Sequence, residues 1–347
     1  MSFEMEKEIL QQPDVIQNLI EKYITKENKI SFSLPENIRK IKFIASGSSY
    51  HCAHMVAKLF REYANIKTHC EYSSEFFISK NLFIENDVLY IFISQSGETY
   101  DTVESLKKVK TLGGKTMCIT NCIDSTLWNL CDYKILSEAG EEKSIASTKA
   151  LLAQIFCLYL IMLEYLASKN HNIEKELNEI KLLPHFIEKF LNNSNHIKNI
   201  AKKLSKCKEI VILGSKYYYS VAKEGALKIK ETSYINANAY PQGEFLHGHV
   251  AVLNNAQSAL IAICTNETKE NTNQILDKIF EDYSPELIVI SNEPDARKNA
   301  LNININTQNN IFTLLATVIT FQILAFETAC SLGRNVDKPI GLKKVVK

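Results

Sequence analysis

The 347-residue chain lacks a charge imbalance: 40 Lys and Arg face 39 Asp and Glu, a net charge of +1. Neither half is strongly basic or acidic, so nucleic acid or a membrane surface is not expected as a partner. Cysteine pairs at metal-ligand spacing are missing as well. The nine cysteines fall at irregular intervals, several inside apolar runs (Cys118, Cys157, Cys264). Cys118 and Cys122 come nearest to a metal pattern and have no second pair, so reduced thiols of a cytoplasmic protein are expected, and no metal. The start, MSFEMEKE, has neither the basic nor the apolar region of a signal peptide. The most apolar run, 151–167, carries Gln154 and Glu164 and is short for a bilayer. It reads as a buried helix. A DNA-binding helix-turn-helix segment is also absent.

What is present is duplication. The length exceeds one ordinary hydrophobic core, which implies two domains. Strand-like apolar runs alternate with helical periodicity, the pattern of a parallel α/β sheet. "IKFIASGSSYHCAHMVAKLF" from Ile41 is an apolar run, Gly47 with Ser48, then a helix; "KEIVILGSKYYYSVAKEGALKIKE" from Lys208 repeats the order with Gly214 and Ser215. Glu75-Phe76 lies 28 residues after Gly47, and Glu244-Phe245 lies 30 after Gly214. Strand 88–95 is answered by 259–266, and 116–121 by 287–292. The expected division is an N-terminal helix (1–29), a first α/β unit (30–168), a linker helix (169–185), a second unit (186–330) and a C-terminal tail (331–347).

One turn stands out. "YIFISQSGETYDT" passes from a strand into Ser94-Gln95-Ser96-Gly97-Glu98-Thr99 and then into a helical period. A helix N-terminus offers unpaired N–H groups and the positive end of the dipole, and three hydroxyls add donors for a phosphate. Simple capping by Ser or Thr, with Glu98 complementing the dipole, accounts for the same residues. The second copy serves as a control: its turn reads "CTNETKEN", without the glycine or the serine pair. Hydroxyls that were merely the capping habit of the fold would appear in both copies, so a phosphate site in the first unit is expected. Gly47-Ser48-Ser49, and Ser147 with Thr148, supply further hydroxyls ahead of helices.

The motifs "ASGSSY", "ISQSGETYDT", "IASTKA", "EGALKIKETSYINANAY", "QGEFLHG" and "RNVDKPIGLKK" resemble the sugar-isomerase (SIS) family, and within it the isomerase half of glucosamine-6-phosphate synthase. The resemblance spans nearly the whole chain. It implies an α/β fold of two tandem SIS domains, each a parallel sheet flanked by helices in a flavodoxin-like three-layer sandwich. A hexose 6-phosphate ligand, no cofactor, and a homodimer with shared sites follow from the same resemblance. It places Ser94, Gln95, Ser96 and Thr99 on the phosphate, and Ser48, Ser49, Ile145 and Ser147 along the sugar. Glu231 matches the carboxylate that moves a proton between C1 and C2, with Lys228 one turn earlier and Glu142 a second acid near the sugar. His247 matches a histidine linked to ring opening. Lys344 matches a tail lysine that forms a Schiff base with the open-chain ketose, and Lys343 is one register step away.

Plainer readings exist for the same residues. Glu224, Lys228 and Glu231 share one helical face and could be an exposed ion-paired row. The tail with Lys338, Lys343, Lys344 and Lys347 could be a solvated basic end. Three departures are visible. Ser2 stands where the synthase family has a glutaminase cysteine, His-Gly is followed by His249, and Asn236 replaces a histidine. The expected activity is interconversion of fructose 6-phosphate and glucosamine 6-phosphate with free ammonia, deamination favoured. Alternatives are a fructosamine-6-phosphate deglycase, the isomerase subunit of a split glutamine-dependent aminotransferase, and a non-catalytic phosphosugar sensor.

Overall fold

The computed structural model describes residues 3–254, 257–293, 297 and 299–344. Ser2 and Lys347, both singled out in the sequence, lie outside the described residues. The N-terminal segment forms two helices rather than one, α1 (Glu4–Leu10) and α2 (Gln12–Tyr23). Pro13, in the first turn of α2, has no N–H to return to the carbonyl of Ile9, so the helical ladder stops and restarts.

The chain divides into two compact units. The first comprises Gln11–Glu142, Lys149–His185 and Lys343–Lys347; the second comprises Met1–Leu10, Lys143–Thr148 and Phe186–Leu342.

In the first unit α2 is followed by β1 (Lys40–Ala45), α3 (Gly47–Tyr63), β2 (Lys67–Tyr72), α4 (Ser73–Ile78), β3 (Val88–Ile93), α5 (Tyr100–Thr111), β4 (Lys115–Thr120), α6 (Thr126–Leu130), β5 (Tyr133–Leu136), α7 (Lys149–Ser168) and α8 (Glu174–Ile180). The five strands are all parallel, in the order β2-β1-β3-β4-β5. Alternation along β1 sends Ile44 to the face holding Phe92, Val103, Leu106 and Leu127. Phe43 faces the other way, onto Phe60 of α3. Helices thus cover both faces, as a parallel sheet requires.

The second unit repeats the plan with α9 (Leu183–Asn192), α10 (Asn195–Leu204), β6 (Glu209–Gly214), α11 (Tyr218–Ser233), β7 (Asn236–Pro241), α12 (Gln242–Phe245), β8 (Ser258–Cys264), α13 (Lys269–Asp282), β9 (Glu286–Ser291), β10 (Leu301–Asn304) and α14 (Asn310–Ser331). Its order, β10-β9-β8-β6-β7, is the same topology. Phe76 and Phe245, the aromatic landmarks of the two copies, are both buried in the short helix after the second strand. The edge strands β2, β5, β7 and β10 were not legible in the sequence. Segments such as "KTHCEY" and "NANAYP" are covered incompletely and carry no apolar run.

Among the described residues two helices, α7 and α14, are long and apolar enough to cross a membrane by length and composition alone. Length is therefore no argument against a span at 151–167. Burial is the better one: 78% of the apolar window of α7 and 89% of that of α14 are enclosed within the protein, the mark of core helices. Where the buried stretch of α7 gives out, Glu164 is half-covered, and desolvation raises its pKa to about 6. A raised carboxylate pKa means that the folded chain holds the proton more tightly. Stability from this group is present below the unfolded value near 4.5 and is lost as pH rises through 6. Glu164→Gln is expected to raise Tm by about 1–3 °C at pH 7.5, after discounting for partial exposure, and to leave it unchanged at pH 4. Thermal unfolding at the two pH values checks this.

Candidate active site

The hydroxyl turn joins β3 to α5. Its strand neighbours β1 in the sheet, with Ala45 opposite Ile93, so the turns after β1 and β3 flank the switch point where ligands bind in sheets of this order. Gly97 has φ +68, in the left-handed region. Thr99 is the N-cap of α5, yet its side chain makes no capping hydrogen bond. Its hydroxyl pairs with that of Ser94 at 2.9 Å, Ser94 Oγ accepts the N–H of Gly97 (3.1 Å), and Ser96 Oγ accepts the N–H of Glu98 (3.2 Å). Thr99 therefore does not cap α5 with its side chain, and a helix N-terminus of this kind is a position that suits an anion.

The turn is held from behind by the loop after β4. The carbonyl of Gln95 accepts from the backbone N–H of Asn121 (3.0 Å) and from Thr120 Oγ1 (3.3 Å), and the carbonyl of Gly97 accepts from the N–H of Leu127 (3.1 Å). Glu98, read from sequence as complementing the dipole of α5, does something else. Its carboxylate accepts the N–H and the hydroxyl of Thr126, at 2.6 and 2.9 Å, and so caps α6. Nothing in a single sequence pairs residues 98 and 126, which is why this clasp was missed.

The matching turn of the second unit is closed by its own side chains. Asn266 and Asn292 are joined by reciprocal hydrogen bonds, and Thr268 Oγ1 accepts the N–H of Thr265. Glu267 takes Lys216 as an ion-pair partner at 3.0 Å and puts a carboxylate where the first unit has hydroxyls.

At the β1 turn, Gly47 opens α3 with φ +54, Ser48 is half-buried, and Ser49 Oγ donates to Gln154 Oε1 of α7 at 2.9 Å. Glu142 also belongs to the first unit. Its side chain is fully enclosed, and Oε1 accepts the N–H of Ala150 in the first turn of α7 (3.0 Å). Oε2 meets Lys344 Nζ at 2.6 Å. Lys343, its neighbour, is exposed.

The second unit carries the remaining predicted residues. Glu224, Lys228 and Glu231 lie along α11, but not on a solvated face: the side chains of Glu224 and Lys228 are 2% and 1% exposed. Lys228 Nζ stands 3.5 Å from Glu224 Oε1 and 2.5 Å from Glu231 Oε2, and Glu231 alone of the three reaches solvent, at 22%. A buried ammonium between two carboxylates is expensive to desolvate unless both partners stay in place, so this row fixes the Glu231 carboxylate. Gly225 lets α11 sit close to α14, since a Cβ there would meet the ring of Phe321 at 2.5 Å. His247 follows α12 and is exposed. Ile145 donates its N–H to the carbonyl of Asp337 at 3.2 Å, and Ser147 is half-buried. Among the described residues no group of three or more His, Cys, Asp or Glu side chains is arranged to hold a metal ion.

The SIS domain profile matches residues 36–163 and 203–330. Glutamine–fructose-6-phosphate aminotransferase (isomerizing) of Fusobacterium nucleatum is 33% identical over 359 residues, covering 99% of this chain and 58% of the relative. The Aquifex aeolicus enzyme of that name is also 33% identical, with 99% and 57% covered. The chain thus spans somewhat over half the length of these relatives. The C-terminal domain of glucosamine-fructose-6-phosphate aminotransferase from Francisella tularensis superposes with a TM-score of 0.90 at 29% identity, over 98% of both chains. A glucosamine-6-phosphate deaminase from Thermotoga maritima shares the fold, with a TM-score of 0.77 at 20% identity and 99% of both chains covered.

Proposed function

Because the chain belongs to the SIS family, carrying the domain twice, and is homologous to the isomerase half of the aminotransferases, we propose that it interconverts fructose 6-phosphate and glucosamine 6-phosphate with free ammonia, deamination being the favoured direction. The observation that carries this reading is the contact of Lys344 Nζ with the enclosed Glu142 carboxylate at 2.6 Å. A lysine that is to attack a ketose carbonyl must first give up a proton, and Glu142 is placed to take it. This contact favours Lys344 over Lys343 as the Schiff-base residue.

The other roles follow from chemistry. Ser94, Ser96 and Thr99, with Gln95 beside them, hold the 6-phosphate; Ser48, Ser49, Ile145 and Ser147 line the sugar. His247 assists ring opening. In the synthetic direction ammonia displaces Lys344 Nζ from the C2 imine, and Glu231, held by Lys228, then removes a proton from C1 and returns it to C2, leaving a free amine at C2 and an aldehyde at C1; deamination runs the same steps in reverse and ends with water releasing the ketose. A homodimer in a cytoplasmic setting is part of the same proposal.

A second reading has its own support. The aminotransferase relatives are about 1.7 times as long as the region they share with this chain, so the chain could serve as the isomerase part of a glutamine-dependent enzyme. Assays of the purified chain separate these readings. Glucosamine 6-phosphate is expected to yield fructose 6-phosphate and ammonia, and ammonium chloride, but not glutamine, is expected to support the reverse reaction. Turnover of fructosamine 6-phosphates in preference would move the assignment to a deglycase. No turnover of any of them would overturn the proposal.

A further inference from the structure

The helix pair at the start of the chain holds a buried carboxylate that the roles above do not use. Glu8 of α1 is 3% exposed. Its Oε1 accepts the backbone N–H groups of Lys143 (2.5 Å) and Ser144 (3.2 Å), and its Oε2 accepts the hydroxyl of Ser144. Both oxygens are thus directed at the loop that runs from Glu142 to Ser147. At the other end of α1, the first amides are taken by the C-terminal tail: Asp337 accepts the N–H of Met5 at Oδ1 and of Glu4 at Oδ2, both at 2.9 Å. Asp337 closes the triangle, because its carbonyl accepts the N–H of Ile145 at 3.2 Å.

A seven-residue helix has little stability of its own. Met5 and Ile9 bury its apolar side, and Phe3 meets Phe326 edge-on. Apolar contacts of that kind would hold α1 in place without a buried carboxylate, which is a costly way to fill space. The polar groups of α1 are instead matched to two segments distant in sequence. One begins next to Glu142, whose successor Lys143 is held by Glu8. The other reaches Lys344 seven residues beyond Asp337. The tail has a second anchor in the phenol of Tyr234, the residue that ends α11, which accepts the N–H of Ile340 at 2.7 Å.

We propose that Glu8 and Asp337 are positioning residues: they join α1, the loop 143–147 and the tail into one clasp that sets where Glu142 and Lys344 stand. The inference rests on the reading of Lys344 as the Schiff-base lysine. Neither Glu8 nor Asp337 touches substrate in it.

The test uses the full chain, with Glu8→Gln and Asp337→Asn made separately. Three readings are taken for each: kcat and KM for glucosamine 6-phosphate, inhibition by inorganic phosphate, and the fraction of Lys344 captured by cyanoborohydride with fructose 6-phosphate, measured by peptide mass. Expected is a fall in kcat of about tenfold or more, about 1.4 kcal/mol per decade, with trapping reduced in step. KM and the phosphate inhibition constant are expected to stay within about twofold, since the hydroxyl turn belongs to the other unit. Wild-type levels of kcat and trapping in both variants would overturn the clasp alone. A parallel loss of phosphate affinity with trapping intact would also overturn it, as general destabilisation. If Glu8→Gln does not fold, Asp337→Asn, at a half-buried and less enclosed position, decides the matter. Wild-type chain that neither turns over nor traps would overturn the reading of Lys344 and the clasp with it.

Discussion

Glu231→Gln is expected to lower kcat for glucosamine 6-phosphate by about 10²–10⁴-fold, the range that removal of a positioned general base produces, or about 3–5 kcal/mol. Glutamine keeps the size and the hydrogen-bonding reach of the side chain but has no carboxylate to accept a proton from C1. The fold should survive the change. Lys228 loses the charge of its partner at 2.5 Å, where an amide oxygen can still accept, and keeps the Glu224 carboxylate at 3.5 Å; position 231 is partly exposed, so no enclosed charge is left without a partner. Binding of the sugar phosphate is expected to stay within about threefold, because the phosphate contacts assigned to Ser94, Ser96 and Thr99 belong to the other unit. Steady-state kinetics together with equilibrium binding distinguishes this outcome from a sensor, which would show no turnover to lose. A kcat within about threefold of wild type would remove Glu231 from the mechanism.

The second large effect belongs to Gly97→Ala. With φ +68 the position costs an L-residue about 1–2 kcal/mol before any contact is considered. The added Cβ also falls inside contact distance of Ser125 Oγ and Cβ, and 2.8 Å from Thr120 Oγ1. Ser125 cannot simply rotate away. Its hydroxyl accepts the N–H of Trp128 as the N-cap of α6 and donates to the carbonyl of Cys122 at 2.7 Å, and loss of a cap costs about 1 kcal/mol. The combined expectation is a loss of about 3 kcal/mol of stability, read as a lower denaturant midpoint. The turn must shift for the methyl group to fit, so KM for the sugar phosphate should rise about tenfold or more. Gly248→Ala is a useful contrast: it shares a positive φ of +96 but has nothing within 4 Å of the added Cβ, so it should show the backbone penalty without the clash. A Gly97→Ala protein with wild-type KM would separate the turn from phosphate binding.

How far the sequence could be read differs between the elements for a physical reason. The central strands β1, β3, β4, β6, β8 and β9 are sandwiched between helices and are apolar over most of their length, with charge confined to their first residues, so they announce themselves. Edge strands have no such requirement, and β5 and β10 are four residues each. The hydroxyl turn was legible because everything it needs is local: a glycine at a left-handed position, hydroxyls on both sides, and a helix starting at once. The comparison with the second copy favours anion binding over capping as the reading of the turn, and the structure adds that the N-cap Thr99 makes no side-chain capping bond.

Composition and pattern, then, determined that the chain is a duplicated parallel α/β protein, and set one hydroxyl turn apart as the candidate for an anion. Those properties depend on residues within one or two turns of each other, where periodicity and backbone conformation act directly. Only the tertiary structure decided that Glu224 and Lys228 are enclosed rather than solvated, that Glu98 serves α6, and that Lys344 rather than Lys343 is drawn onto Glu142, 202 residues away in the chain. Each of these outcomes depends on which distant surface covers a charged side chain. The cost of desolvating that charge, and the partner that offsets it, exist only once the chain has folded.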